Sequence, residues 1–208
     1  MTKQELLAKW KARDLSWSQI SSFEYSKEQW YRSYWLGQKD PPSPEMLFGS
    51  KVGKQLETDP TFLPMIPRRS TMEYKFEAEF DGIKLVGYAD SFGECIDGKY
   101  VYALEEYKTG VKAWDKKRVD QHGQITMYLF MYYLKTKAKP EDILCSLHWM
   151  PTKKTENGDF SVEIDFVEDI ENKIQHFETK RTMRDIMEFG IRIKKTVREM
   201  EEYGLLHE

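Results

Sequence analysis

Cysteine is almost absent from this chain: Cys95 and Cys145 are the only two in 208 residues. Two thiols so far apart build no disulfide framework, and with no leader-like segment the sequence is expected to work in a reducing, cytoplasmic setting with both thiols free. Histidine is nearly as scarce. His122, His148, His176 and His207 lack the close pairing of a zinc site, and no Gly-x-Ser-x-Gly turn marks a serine hydrolase. No stretch approaches the roughly 20 consecutive apolar residues that a membrane span requires, so no membrane partner is expected. Excess positive charge is also missing: 32 Lys and Arg against 35 Asp and Glu leave a formal net charge of −3. Internal repeats, low-complexity tracts and interdomain linkers are absent as well.

What is present is a core. The chain carries 12 Tyr, 11 Phe and 6 Trp, which excludes wholesale disorder, and its length suits one domain, 1–208. Turn residues divide it. The pattern predicts helices over 3–12 and 17–36, a break at Pro41-Pro42-Ser43-Pro44, and a helix over 45–57. Strands are predicted over 71–80, 83–91 and 99–108, with Asp81-Gly82 and Asp97-Gly98 as hairpin turns. A helix from Arg118 to Lys137 follows, then strands over 143–151 and 160–167 around Asn157-Gly158, then one long helix over 169–203. A helical N-terminal part (1–57), a core (71–167) and a C-terminal helix (169–203) thus predict an α/β fold, a mixed central sheet flanked by helices.

Gly87-Tyr88-Ala89-Asp90 and Glu106-Tyr107-Lys108-Thr109-Gly110 carry the chemistry. A hairpin between them runs out from Asp90 and returns to Glu106, and strand alternation points Glu106 and Lys108 one way and Tyr107 the other. Asp90, Glu106 and Lys108 can therefore converge. Hard cations such as Mg²⁺ take a few carboxylate oxygens, keep several waters and leave room for phosphate. A cation so held acidifies water and neutralises charge on a phosphoryl transition state, to which Lys108 adds a donor and a point charge. Acid-x-Lys in a chain that is 32% charged is by itself an ordinary solvated face. Apolar residues before both acids, Leu85, Val86, Tyr88 and Ala89 and then Val101, Tyr102, Ala103 and Leu104, argue instead for buried strands.

On the following helix Gln124 and Tyr128 stand four apart and share a face. Alone they read as core-edge residues; beside two acids they form a hydrogen-bonding ledge for phosphate or water. The intervening loop gathers Lys112, Lys116, Lys117 and Arg118 around Trp114, against Asp115, which suits phosphates and an unpaired base. Gly49-Ser50-Lys51-Val52-Gly53-Lys54-Gln55 is not a P-loop, because three residues rather than four separate its glycines and Gln55 stands where Ser or Thr is needed.

Gly-x-x-Asp, Glu-x-Lys-Thr-Gly and Gln-x-x-x-Tyr, in that order and spacing, resemble the PD-(D/E)XK nuclease superfamily and its RecB-like branch. Ser16 to Phe23 with Trp30-Tyr31 resembles the branch's opening helix, and Phe48 to Glu57 its Gly-[Ser/Thr]-x-x-His-x-x-Leu-Glu helix. The likeness covers residues 15 to 135. It implies a restriction-endonuclease-like core and a metal-dependent deoxyribonuclease, an exonuclease of DNA recombination, repair or processing, that acts on DNA and works with a separate helicase or recombination protein. It also implies Mg²⁺ or Mn²⁺ on Asp90, Glu106 and the Tyr107 carbonyl, with Lys108, Gln124 and Tyr128 around the scissile phosphate. Two departures stand out. Gly53 replaces the branch's metal-binding histidine, which makes Glu57 a candidate substitute and a catalytically decayed DNA-binding or accessory subunit the alternative function. Ser26 stands where relatives place the first of four iron–sulfur cysteines, and two thiols cannot hold a cubane, so no such cluster is expected.

Overall fold

The computed structural model describes residues 3–95, 98–156 and 162–207. Asp97 of the second expected hairpin and the Asn157-Gly158 turn lie outside the described residues. The chain opens with α1 (Lys3–Lys11), α2 (Trp17–Tyr25) and α3 (Lys27–Trp30), which runs into a π-helical turn over Tyr31–Trp35, and then α4 (Pro44–Thr58). Three antiparallel strands follow: β1 (Thr71–Phe80), β2 (Ile83–Glu94) and β3 (Tyr102–Gly110). Next come α5 (Lys116–Asp120), α6 (Gly123–Thr136), β4 (Ile143–Glu156), β5 (Val162–Phe166), α7 (Ile170–Lys173), β6 (Gln175–Thr179) and α8 (Met183–Leu206).

Among the described residues the sheet has six strands in the order β1-β2-β3-β4-β5, with β6 on β4. β3 and β4 are parallel, and a parallel pair needs a crossover, supplied here by α5 and α6. The first half of β4 pairs with β6 through Cys145–Trp149, and the second half with β5 through Thr152–Glu156. The expected mixed sheet flanked by helices is therefore the fold.

Three helix predictions need correction. The helix over 17–36 breaks at Ser26, whose backbone is extended and whose hydroxyl caps α3 by accepting from the Gln29 N–H at 3.2 Å. The helix over 118–137 is two, because Asp115 caps a short α5 through the Arg118 N–H at 2.7 Å and the chain turns at Gln121 and His122 before α6. The long helix over 169–203 is α7, then β6, then α8. Thr182 and Asp185 form a capping box that starts α8 afresh, and the free edge of β4 takes up Gln175–Thr179 as a strand.

The larger core lies between the sheet and α2, α6 and α8, where Trp10, Trp30 and Trp35 pack edge to face or tilted around one another. A smaller one on the opposite side joins Val52 and Leu56 of α4 to Tyr107 and Met150. The two faces of β3 are thus both covered, as the apolar run before Glu106 requires.

Candidate active site

Asp90 and Glu106 stand where β2 and β3 part. The ladder between these strands ends at Ser91 opposite Glu105, and the next bond is made by a side chain: the Tyr107 N–H donates to Asp90 Oδ2 at 2.5 Å. Within an extended strand the N–H and C=O of one residue point to the same edge, so the Tyr107 carbonyl also faces the Asp90 side. Both acids lie within their strands rather than at the ends, because β2 runs on to Glu94 and β3 to Gly110.

Glu106 is only 1% exposed. Its Oε1 accepts from Lys108 Nζ at 2.5 Å, and its Oε2 is buried with no hydrogen-bond partner among the described residues. Burial pushes its carboxyl up to about 8, with the Asp90 charge adding to the effect and Lys108 opposing it. Burial also raises Asp90, against Lys108 and the Tyr107 N–H. Lys108 is pulled down by burial, but Glu106 and Asp90 outweigh this and hold its ammonium above the usual lysine value. One ammonium faces two carboxyl groups, leaving an acceptor that a hard cation would satisfy. Among the described residues no group of three or more Asp, Glu, His or Cys side chains is placed for one metal ion, so the chain offers two carboxylates and a backbone carbonyl, few enough protein oxygens for Mg²⁺ or Mn²⁺.

The α6 ledge closes the cluster. Lys108 Nζ donates to Gln124 Oε1 at 3.1 Å, Gln124 Nε2 donates to the Tyr128 hydroxyl at 2.6 Å, and that hydroxyl donates to the Tyr88 carbonyl. Burial pushes the Tyr128 phenol far up, so it stays protonated. Gly87 explains how strand and helix come so close: a Cβ there would lie 2.5 Å from Tyr128 Cε1. The first and last sequence motifs are therefore in contact, and Gly87 makes room for Tyr128.

The other expected site residues sit outside this chain of bonds. Glu57 is on the exposed end of α4, with its Oε2 bound by Lys54 Nζ at 2.8 Å. A Cβ at Gly53 would meet nothing within 4 Å, so the missing histidine leaves open space. Lys112, Lys116, Lys117 and Arg118 are exposed, and Lys116 pairs with Asp120. Trp114 is half-buried, with the Arg118 guanidinium 3.7 Å over its ring and His122 packed on its edge at 5.0 Å, so that ring face is already covered. Burial, with Lys108 and Arg181 nearby, pushes His122 down to about 3 and keeps it neutral.

Two groups carried no sequence signal. Glu105, next to Glu106 but on the opposite face, is fully buried and accepts from Arg69 Nε at 2.6 Å, while its Oε2 meets His148 Nε2 at 2.8 Å. The second ring nitrogen of His148 lies 2.6 Å from His176 Nδ1. Arg181, 4% exposed, donates to Thr126 Oγ1 at 2.7 Å, to Thr179 Oγ1 at 2.6 Å and to the Val119 and His122 carbonyls at 3.2 Å. It ties β6 to the turn that starts α6, and so to Gln124. Only the folded arrangement, in which β6 lies on β4 and Arg181 reaches back to α5 and α6, could have revealed these networks.

No family model and no curated protein sequence matches the chain. Among solved structures it is similar to a candidate exonuclease from Eubacterium rectale, with a TM-score of 0.53, 14% identity and coverage of 98% of this chain and 87% of that one. The fold is shared. An alkaline exonuclease from Laribacter hongkongensis aligns over 99% of this chain and 96% of its own, at 12% identity and a TM-score of 0.49. None of the described helices is long and apolar enough to cross a membrane.

Proposed function

We propose that this chain is a divalent-metal-dependent deoxyribonuclease, an exonuclease serving DNA recombination, repair or processing. The observation that carries the reading is the buried, unpartnered Oε2 of Glu106 within one hydrogen-bonded chain running from Glu106 through Lys108 and Gln124 to Tyr128. The fold held in common with the Eubacterium rectale structure supports it.

Asp90, Glu106 and the Tyr107 carbonyl would hold Mg²⁺ or Mn²⁺, which when bound supplies Lewis-acid neutralisation of the phosphate charge. The protein's own part is positional. Lys108 keeps its proton and donates to a phosphate oxygen as negative charge builds there. Gln124 presents its amide beside that oxygen, and Tyr128, anchored on Tyr88, fixes the Gln124 rotamer. Water attacks phosphorus and loses a proton to solvent, the bond to the leaving sugar oxygen breaks, and that oxygen takes a proton from solvent. Lys112, Lys117 and Arg118 gather the DNA backbone at the mouth of the site despite the net charge. A separate helicase or recombination protein would supply the motor that this chain's motifs lack.

The alternative, a decayed accessory subunit, rests on Gly53. Incubation of the purified protein with linear and circular, single- and double-stranded DNA, in Mg²⁺, Mn²⁺ or EDTA, separates the two. Cleavage of linear DNA that needs the cation and disappears in Glu106→Gln is expected; metal-independent binding without cleavage under every condition would make the chain an accessory protein.

A further inference from the structure

The connection from α4 to β1 carries no motif, yet it crosses the sheet beneath the point where β2 and β3 part. The Pro67 carbonyl accepts from the Tyr107 hydroxyl at 2.7 Å. The Arg69 N–H donates to Ser91 Oγ at 2.6 Å, and its Nε donates to Glu105 Oε1 at 2.6 Å. Arg69 therefore holds two strands at once, β2 by its backbone and β3 by its side chain. Ser70 then lies on Gly93, where a Cβ would come within 2.3 Å of Ser70 Oγ, and Thr71 enters β1 opposite Phe92.

Each of these contacts falls on, or next to, a residue of the proposed cation site. Ser91 follows Asp90, Glu105 precedes Glu106, and Tyr107 carries the carbonyl of the set. Ser91 and Glu105 are also the last pair of the ladder before the strands separate. The second oxygen of Glu105 meets His148 Nε2 at 2.8 Å, which extends the brace to β4. Ser91, Glu105 and His148 are all buried. Buried groups in a close-packed interior have little slack, so a spacing fixed on this face is carried to the other.

We propose that Arg69 is a positioning residue: through Ser91 and Glu105 it sets the separation of Asp90 and Glu106, and so favours Mg²⁺ or Mn²⁺ over Ca²⁺. Mg²⁺ demands short bonds in near-ideal octahedral geometry, whereas Ca²⁺ accepts longer and less regular ones, so a fixed spacing selects the smaller ion. The inference rests on the nuclease reading, and its test distinguishes the failure of either. Arg68 is the natural control. It donates to the carbonyls of Leu56 at 2.9 Å, Ile66 at 3.3 Å and Asp59 at 3.4 Å, and to that of Phe62. Those bonds tie the connection to itself and to the end of α4, not to β2 or β3.

The test is Mn²⁺ binding to the full chain without DNA, followed by the paramagnetic resonance of free Mn²⁺ with Ca²⁺ as competitor, beside urea denaturation. Wild type should bind Mn²⁺ and Asp90→Asn should not. Arg69→Met should weaken Mn²⁺ about tenfold or more, the scale of losing an outer partner of a metal ligand, and should let Ca²⁺ compete better. Arg68→Met should lower the urea midpoint yet keep the wild-type Mn²⁺ affinity and Ca²⁺ competition, which separates positioning from a merely structural role. Ser91→Ala removes a single acceptor and should shift the same ratio in the same direction, so it decides the matter if Arg69→Met fails to fold. Wild-type Mn²⁺ affinity in Arg69→Met or Ser91→Ala, or equal losses of Mn²⁺ and Ca²⁺, would overturn the role of Arg69 and leave the cation site standing. Absence of Mn²⁺ binding in wild type would overturn the cation site and Arg69 with it.

Discussion

Glu105 and Glu106 are neighbours on β3 and electrostatic opposites. Glu105 is buried, and although burial raises it, His148 and Arg69 hold its carboxyl below the ordinary value. Glu106, buried on the other face, has Lys108 on one oxygen and no partner among the described residues on the other, and burial pushes it up to about 8. Buried acids are tolerated when neutralised: His148 and Arg69 do this for Glu105, and a retained proton does it for Glu106.

That difference sets a pH dependence. The folded chain keeps a proton on Glu106 that the unfolded chain has released above the usual carboxylate range. The stability it contributes is complete below about pH 4 and is lost as pH rises through about 8. Chemical denaturation of the metal-free protein should show a declining limb between these values, which Glu106→Gln flattens and Mn²⁺ offsets. An unchanged limb in Glu106→Gln would place the titration elsewhere.

Under the proposed function, Lys108 would act on the transition state more than on the cation. Lys108→Met should slow single-turnover cleavage by about 10²-fold or more while Mn²⁺ affinity changes little. Loss of Mn²⁺ binding with unimpaired chemistry would assign the lysine to holding the site together instead.

Gly87 is required by Tyr128. Gly87→Ala should destabilise by about 1–3 kcal/mol, the range for overpacking, and should lower cleavage by moving the ring that anchors Gln124. Because both effects come from one contact, Tyr128→Leu should absorb most of the stability loss in the double variant. Additive urea midpoints would show that the clash is relieved elsewhere.

Arg181 holds the turn before α6 from beneath. Arg181→Met leaves Thr126, Thr179 and two backbone carbonyls without their buried donor, for an expected loss of about 2 kcal/mol or more. Hydrogen exchange should then quicken first at Val119 to Gln124. Quickening confined to α8 would break the proposed link between β6 and the α6 ledge.

The sequence by itself determined the local pieces. Alternation placed Glu106 and Lys108 on one face of β3, the four-residue spacing put Gln124 and Tyr128 on one side of α6, and apolar runs marked the strands as buried. These are short-range properties, fixed by the period of the strand and the helix. Tertiary structure decided the rest. Whether Gln175–Thr179 became strand depended on the free edge of β4, a partner nearly 30 positions away in the chain. The opposite fates of Glu105 and Glu106 depended on Arg69 and His148, which reach one face only. A carboxyl group's charge is set by burial and by what stands within a few ångströms, and those neighbours come from distant segments that only the folded sheet assembles.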